Sequence, residues 1–452
     1  MRLFGTSGIR GVVGDLLTPQ FCRQVGQALG STLAEKSRVC IATDARLSRE
    51  MVRDEVTAGL ISAGIDVTHL GILPTPALAF LTREMNFSAG LMVTASHNPP
   101  EYNGIKVFNA DTIGYSVAQE DAIEAVYRQK EFRGSPVEGS VHTDEAAAEV
   151  YRQRLLDIFS QQKFNRDLKI VVDPGNGAAA GFASGLFSRL GLNILPLNDE
   201  PDGNFPGRPS EPTGQTLEGT IEFLREKGAD LAVCFDGDAD RVVFADREGF
   251  LGFTEMVSFI SRLMVKESGN RTVAATIEVG KLLDLVLEEV GAGVVRGKVG
   301  DVYLAHLVRE NEAAIGVEDV GVYIMPRMGC YPESMLAALT LLSEIESPEE
   351  IRDFLGRFPR FYADKRKVAC PDELKEAAME KITAGARRLD PKELNSLDGV
   401  RLDFADSWVL IRPSGTEPAI RVMAEATGKE EVQKLVEAGM KLVEEGISST
   451  AR

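Results

Sequence analysis

The sequence is short of cysteine. Its 452 residues hold five, at Cys22, Cys40, Cys234, Cys330 and Cys370, odd in number and scattered. No C-x-x-C pair occurs, which argues against a zinc site or a thiol redox motif. Free thiols in a reducing cytoplasm are the simple expectation. Basic charge is also short: 50 Lys and Arg stand against 68 Asp and Glu, a net charge of −18. Nucleic acid is therefore not expected as a partner, because its phosphate backbone needs a basic surface. No apolar run approaches the ~20 residues of a membrane span, and no membrane association is expected. The opening Met1-Arg2-Leu3-Phe4-Gly5-Thr6 lacks the apolar stretch of a secretory signal. Three familiar motifs are missing as well: a Walker A loop, a G-x-S-x-G elbow and an EF-hand.

What is present is a recurring strand–helix rhythm. Val39 to Thr43 reads as a short buried strand, followed by a helix pattern with Met51, Val52, Val56, Leu60 and Ile61 on one face. Ile65–Leu70 and Ala89–Thr94 read as further strands. The order returns with a strand from Leu168 to Val172, a helix near Leu217–Glu226 and a strand at Ala229–Phe235. It returns again with a helix over Phe253–Lys266, the strand Thr272–Thr276, a helix near Leu282–Val290 and the strand Ala313–Val317. This alternation predicts an α/β fold with mixed, mostly parallel sheets. The C-terminal part differs. Arg366–Ala369, Gly399–Phe404, Trp408–Ile411 and Ala419–Ala424 read as strands before a helix over Lys429–Glu445, which predicts a smaller α+β domain. Four domains are expected, over residues 1–150, 151–250, 251–365 and 366–452.

Four loops carry the chemistry. Thr94-Ala95-Ser96-His97-Asn98-Pro99-Pro100 ends an apolar strand, at the carboxyl edge where α/β sheets bind ligands. Ser96 is a candidate nucleophile or phosphoryl carrier with His97 beside it; the plain alternative is a serine that caps a turn. Asp236-Gly237-Asp238-Ala239-Asp240-Arg241 crowds three carboxylates, a cost that a hard divalent cation removes. Oxygen donors favour Mg²⁺ or Ca²⁺ over zinc, and Arg241 and Arg247 stand where an EF-hand needs Gly and Glu. Arg412-Pro413-Ser414-Gly415-Thr416-Glu417-Pro418, with Arg421 beyond, is a plausible phosphate cradle of amides, hydroxyls and guanidinium forks, or an ordinary hairpin turn. Gly5-Thr6-Ser7-Gly8-Ile9-Arg10-Gly11 lets backbone approach a ligand and offers Arg10 to an anion.

Together, in this order, these loops resemble the α-D-phosphohexomutase family of phosphoglucomutase, phosphomannomutase and phosphoglucosamine mutase. The resemblance runs the whole length and implies four domains around a central cleft. It implies that Ser96 carries a phosphoryl group, and that Asp236, Asp238 and Asp240 hold Mg²⁺ together with an oxygen on Ser96. It adds Lys106, in N-G-I-K, and makes Arg10, His97, Lys106 and Arg241 the catalytic cations, with Lys106 or His97 moving the proton. Arg412, Ser414, Gly415, Thr416 and Arg421 would clamp the non-reacting phosphate, and Lys298, in Gly297-Lys298-Val299-Gly300-Asp301, and Glu318 would touch substrate. The implied reaction interconverts 1-phosphate and 6-phosphate sugars through a sugar 1,6-bisphosphate, which also serves as activator. A cytoplasmic monomer or homodimer fits.

The family's sugar-binding G-E-x-S-G-H stretch is Gly316-Val317-Glu318-Asp319-Val320-Gly321-Val322 here, so Val320 and Val322 replace serine and histidine. A valine cannot pair with a hydroxyl, and an unpaired buried polar group costs ~1–3 kcal/mol. Either the sugar lacks the usual hydroxyl pattern there, or Asp319, Tyr323 or water replaces the contact. A pentose phosphate, a phosphosugar hydrolase and a non-catalytic sugar-phosphate sensor are the rival expectations.

Overall fold

In the computed structural model, residues 2–5, 7–415 and 417–450 are described. The first domain runs β1 (Ile9–Val12), α1 (Pro19–Thr32), β2 (Arg38–Thr43), α2 (Arg49–Ser62), β3 (Asp66–Ile72), α3 (Thr75–Glu84), β4 (Ala89–Val93), β5 (Tyr102–Asn109), α4 (Val117–Gln129) and β6 (Val141–Thr143). Local chemistry sets its helix starts. Thr18 caps α1 by accepting from Phe21 N, with Pro19 as the first helical residue, a place where proline's missing N–H costs nothing. Ser116 and Gln119 form a capping box on α4. The sheet order is β1-β5-β4-β2-β3-β6. Strands β4, β2, β3 and β6 are parallel, whereas β5 returns antiparallel beside β4 and β1 beside β5.

The second domain follows the same plan with α5 (Ala147–Phe159), β7 (Lys169–Asp173), α6 (Phe182–Arg189), β8 (Asn193–Pro196), α7 (Glu218–Glu226), β9 (Leu231–Phe235), β10 (Val242–Asp246) and β11 (Phe250–Leu251). Its order is β11-β10-β9-β7-β8, parallel through β9, β7 and β8, with β10 returning antiparallel to β9. The third has α8 (Phe253–Ser268), β12 (Thr272–Thr276), α9 (Lys281–Glu289), β13 (Gly293–Gly297), α10 (Asp301–Glu310), β14 (Ile315–Glu318), β15 (Val322–Ile324), α11 (Ser334–Glu344) and α12 (Pro348–Leu355). Here β13, β12 and β14 are parallel and β15 returns antiparallel. The fourth is an antiparallel sheet, β16-β20-β19-β18-β17, of β16 (Tyr362–Ala369), β17 (Glu393–Asn395), β18 (Val400–Asp403), β19 (Ser407–Pro413) and β20 (Ala419–Ala426), packed by α13 (Asp372–Ala386) and α14 (Lys429–Thr450).

Strands β4 and β9 read Ala-Gly-Leu-Met-Val and Leu-Ala-Val-Cys-Phe and are buried at every position, the continuous apolar run of a sheet covered on both faces. One buried cluster runs through the first three domains and joins Leu78, Tyr151, Phe187, Phe244, Leu283 and Leu339. The fourth domain has its own core, with Val409, Ile411, Val422 and Val436. It meets the third through Ile277, Trp408, Leu410 and Met423. In each domain one loop sits between two adjacent antiparallel strands: residues 94–101 between β4 and β5, 236–241 between β9 and β10, 319–321 between β14 and β15, and 414–418 between β19 and β20. Each of the four lies in a stretch to which the sequence assigned chemistry.

Candidate active site

The first two of these loops meet. Ser96 lies at φ +50°, a left-handed conformation that non-glycine residues adopt at a cost of ~1–3 kcal/mol unless their surroundings impose it. The surroundings here are a fully buried arginine. Arg46 Nη2 donates to the carbonyls of Ser96 and Asn98 at 2.9 and 2.6 Å. Its Nη1 donates to those of Pro99 and Tyr102 at 2.6 and 2.8 Å. Arg46 Nε is held by Asp44 at 3.0 Å, and Asp44 also accepts from Thr94 Oγ1 at 2.6 Å. Both terminal nitrogens of the guanidinium are thus spent on the backbone around Ser96.

So held, Ser96 Oγ donates to Asp236 Oδ2 at 2.8 Å and lies 3.2 Å from His97 Nδ1. Gly237 packs against the Ser96 carbonyl so closely that a Cβ would stand 2.4 Å from it. Thr75, at the start of α3, donates its hydroxyl to Asp238 Oδ2 at 2.7 Å and its N–H to the Asp238 carbonyl at 2.9 Å. Asp236, Asp238 and Asp240 are all buried, each offering an oxygen within 4.8 Å of the others. Lys106 on β5 reaches between them, with Nζ 2.8 Å from Asp238 Oδ2 and 2.6 Å from Asp240 Oδ2. Its position follows from the strand return: β5 pairs Lys106 with Met92 of β4, just before the serine loop.

The electrostatics are those of a site that needs more positive charge. Burial, with Asp240 and Asp238 adding, pushes the Asp236 carboxyl well above the usual carboxylate range. Burial also opposes ionisation of Asp238, but Lys106 and the Thr75 hydroxyl outweigh it and hold that carboxyl below the usual range. For Lys106, burial alone would favour loss of the proton; Asp238 and Asp240 reverse that and raise its pKa. His97 is pushed down to about 2 by burial and by the guanidiniums of Arg241 and Arg10, so its ring is neutral. Asp238 Oδ1 and Asp240 Oδ1 are buried without a hydrogen-bond partner. An all-oxygen, triply acidic donor set with two oxygens free of hydrogen bonds fits a hard divalent cation.

The other residues singled out in the sequence divide between this centre and its surroundings. Arg10 Nη1 donates to Asn98 Oδ1 at 3.2 Å, and Arg241 N donates to Asp236 Oδ1 at 3.2 Å. Glu318 is buried and accepts from Gly300 N at 2.9 Å; burial and the nearby Asp301 raise it to about 7. Lys298 is exposed, with Nζ over the Tyr303 ring. Arg412 pairs with Glu278 at 2.7 Å and with Asp398 at 3.3 Å. Ser414 is buried and Gly415 exposed in the β19–β20 loop. Arg421 lies opposite Arg412 on β20, half-exposed, 4.0 Å from Glu417. Thr416 lies outside the described residues.

In the loop at 319–321, Asp319 Oδ1 accepts from Thr254 Oγ1 at 2.6 Å, and the Tyr323 side chain is buried in the central core. The physical reason is the period of two along β15, which sends Val322 and Ile324 to one apolar cluster and Tyr323 to another. Sequence reasoning also missed Asp44, Arg46 and Thr75. Asp44 and Arg46 follow the β2 strand at the same carboxyl edge that drew attention to Ser96, which was the available signal.

Comparison with known proteins matches four family models along the chain. Their descriptions are phosphoglucomutase/phosphomannomutase alpha/beta/alpha domain I over residues 1–134, domain II over 149–249, domain III over 255–360, and the C-terminal domain over 366–442. A Methanopyrus kandleri protein named probable phosphoglucosamine mutase is 38% identical over 437 residues, 96% of each chain. A Pyrococcus abyssi protein of the same name is 35% identical, covering 100% of this chain and 99% of its own. The crystal structure of a phosphoglucomutase/phosphomannomutase family protein from Burkholderia thailandensis shares the fold at a TM-score of 0.84 and 25% identity, over 98% of both chains.

Proposed function

Since the chain belongs to the phosphoglucomutase/phosphomannomutase family, whose four domains it carries in order, we propose that it interconverts hexosamine 1-phosphate and 6-phosphate, with glucosamine phosphate foremost, through a phosphoserine at Ser96 and a bisphosphorylated sugar. The protein is an intramolecular phosphotransferase of the phosphohexomutase type. The observation that carries the reading is the Ser96 hydroxyl seated 2.8 Å from Asp236 at the edge of the buried aspartate triplet. The preference for glucosamine rests on the names of the relatives that match nearly the whole chain.

Mg²⁺ held by Asp236, Asp238, Asp240 and an oxygen on Ser96 would neutralise charge on the transferring phosphoryl group. The chain's own residues do the rest. The Arg46 clasp and Gly237 fix where Ser96 Oγ stands, and phosphoryl transfer depends mostly on such positioning. Arg10 and Arg241 add fixed positive charge beside it. Lys106 Nζ holds a proton within the triplet; it is assigned to pass a proton to Ser96 Oγ as the phosphoryl group leaves while the proton of the attacking sugar hydroxyl restores the ammonium, and the return transfer runs the same exchange in the opposite direction. His97, neutral and 3.2 Å from Ser96 Oγ, orients the hydroxyl. Glu318 is the carboxylate assigned to sugar hydroxyls in a loop where Val320 and Val322 offer none.

A coupled assay tests this, with glucosamine, glucose, mannose and ribose 1-phosphates, Mg²⁺ and a trace of 1,6-bisphosphate. The expected result is isomerisation fastest with glucosamine phosphate, together with one added phosphate by intact-protein mass spectrometry that Ser96→Ala abolishes. Release of inorganic phosphate at the rate of turnover would instead identify a hydrolase, and a preference for ribose 1-phosphate would overturn the substrate assignment.

A further inference from the structure

A loop that binds phosphate must turn its N–H and O–H groups toward the anion and its carbonyls elsewhere. In the β19–β20 loop the carbonyls are held by a residue of another element. Lys375 on α13 donates from Nζ to the carbonyls of Ser414 and Glu417, each at 2.6 Å. It also pairs with Asp372 at 2.6 Å, and its side chain is only 12% exposed. Two of the ammonium's three protons go to these carbonyls and the Asp372 carboxylate balances its charge, so Lys375 is committed to the loop and its own helix. The two carbonyls lie at opposite shoulders of the loop. At the base of the loop Ser414 N donates to the Ala419 carbonyl at 2.9 Å, and Glu417 N donates to Ser414 Oγ at 3.2 Å. By contrast Lys367, 65% exposed and 3.2 Å from the Glu417 carboxylate, is a surface pair of the kind that contributes little.

We propose that Lys375 is a positioning residue for the phosphate loop of the fourth domain, acting through the Ser414 and Glu417 carbonyls rather than on the ligand. The inference rests on the reading of residues 412–418 as the clamp for the sugar's non-reacting phosphate. Without the strap, both carbonyls are free to rotate toward the anion, which raises the cost of binding without touching the reacting centre at Ser96.

The test compares Lys375→Met, Lys375→Arg and Arg412→Ala in the full-length enzyme. Four quantities are read: KM for glucosamine 6-phosphate, kcat, the inhibition constant of inorganic phosphate, and the urea midpoint. Lys375→Met is expected to raise KM and the phosphate inhibition constant together by about tenfold, equivalent to ~1.4 kcal/mol, with kcat nearly unchanged; Lys375→Arg recovers most of the loss. Lys375→Gln, whose amide still donates twice, serves if the methionine disturbs folding, and a KM raised several-fold is expected there too. A lowered urea midpoint with unchanged KM and phosphate inhibition, while Arg412→Ala still raises KM, overturns the role of Lys375 and leaves the clamp standing. If Arg412→Ala also leaves KM unchanged, the clamp reading fails and this inference falls with it.

Discussion

Adding one methyl group at Gly237 should separate the two loops that make the centre. A Cβ there stands 2.4 Å from the Ser96 carbonyl oxygen and 3.3 Å from Ser210 Cβ. Real Cβ atoms keep at least 3.0 Å from such a neighbour, so the loops must part by about 0.6 Å. Neither side can yield easily. The Ser96 carbonyl is bound by the buried Arg46 guanidinium, and the Gly237 carbonyl accepts from Ala178 N at 2.9 Å. Overpacking of this kind costs ~1–3 kcal/mol. Because a 1 Å misplacement at a reacting centre can cost ~10²-fold, we expect Gly237→Ala to lower kcat by about 10–100-fold while the chain still folds. The assay is coupled turnover at saturating Mg²⁺ and bisphosphate, with the urea midpoint measured alongside. Gly134→Ala, where a Cβ meets nothing within 4 Å, is the control and should change neither quantity. A Gly237→Ala enzyme within twofold of the parent in kcat, with an unchanged midpoint, would refute the claim that the serine and metal loops are fixed against each other.

Lys106→Met should lower kcat by ~10²–10⁴-fold, the range of a lost proton-transfer group, and should increase the thermal stabilisation that Mg²⁺ confers, measured by calorimetry, since Asp238 and Asp240 lose their internal counter-ion. Glu333 is fully buried, accepts from Tyr151 at 2.6 Å, and is raised by burial from 4.5 to about 7. Its folded pKa lies above its unfolded one, so its contribution is fully present below pH 4.5 and is lost as pH rises to 7, a fall of up to ~3 kcal/mol. Glu333→Gln should flatten that part of a urea-midpoint series between pH 5 and 8. Arg401 is 1% exposed, donates to the Ile277 and Val279 carbonyls of the third domain and pairs with Asp403. Arg401→Met should cost ~3–5 kcal/mol. Trp408, the sole tryptophan, stacks 4.3 Å beneath Arg401, so an unfolding transition followed by its fluorescence reads this directly.

The sequence was legible where one periodicity dominates. Buried strands such as β9 and β12 read as short apolar runs, and β19 and β20 as the hairpin around 414–418. It was less legible where a strand carries chemistry. β5, Tyr-Asn-Gly-Ile-Lys-Val-Phe-Asn, is broken by polar residues because one of them, Lys106, serves the centre. Its antiparallel return beside β4 was therefore not read, and Lys106 entered only through the family resemblance. Thr75 was hidden differently: it opens α3, and only the fold shows that its hydroxyl also donates to Asp238. Contacts between domains leave no periodic trace at all. The pairing of Arg412 with Glu278 spans 134 positions, and only the folded chain brings them together.

The bond from Ser96 to Asp236 spans 140 positions, and this bears on synthesis. The last strand of the first domain ends at Thr143, while the aspartate loop ends at Arg241. At ~5–20 residues per second, the ribosome needs about 5–20 s to cross that interval. During it the serine loop has Arg46 and Asp44 but lacks the aspartates at 236, 238 and 240. Under the function proposed above, Ser96 can therefore be primed only in chains that have already completed two domains.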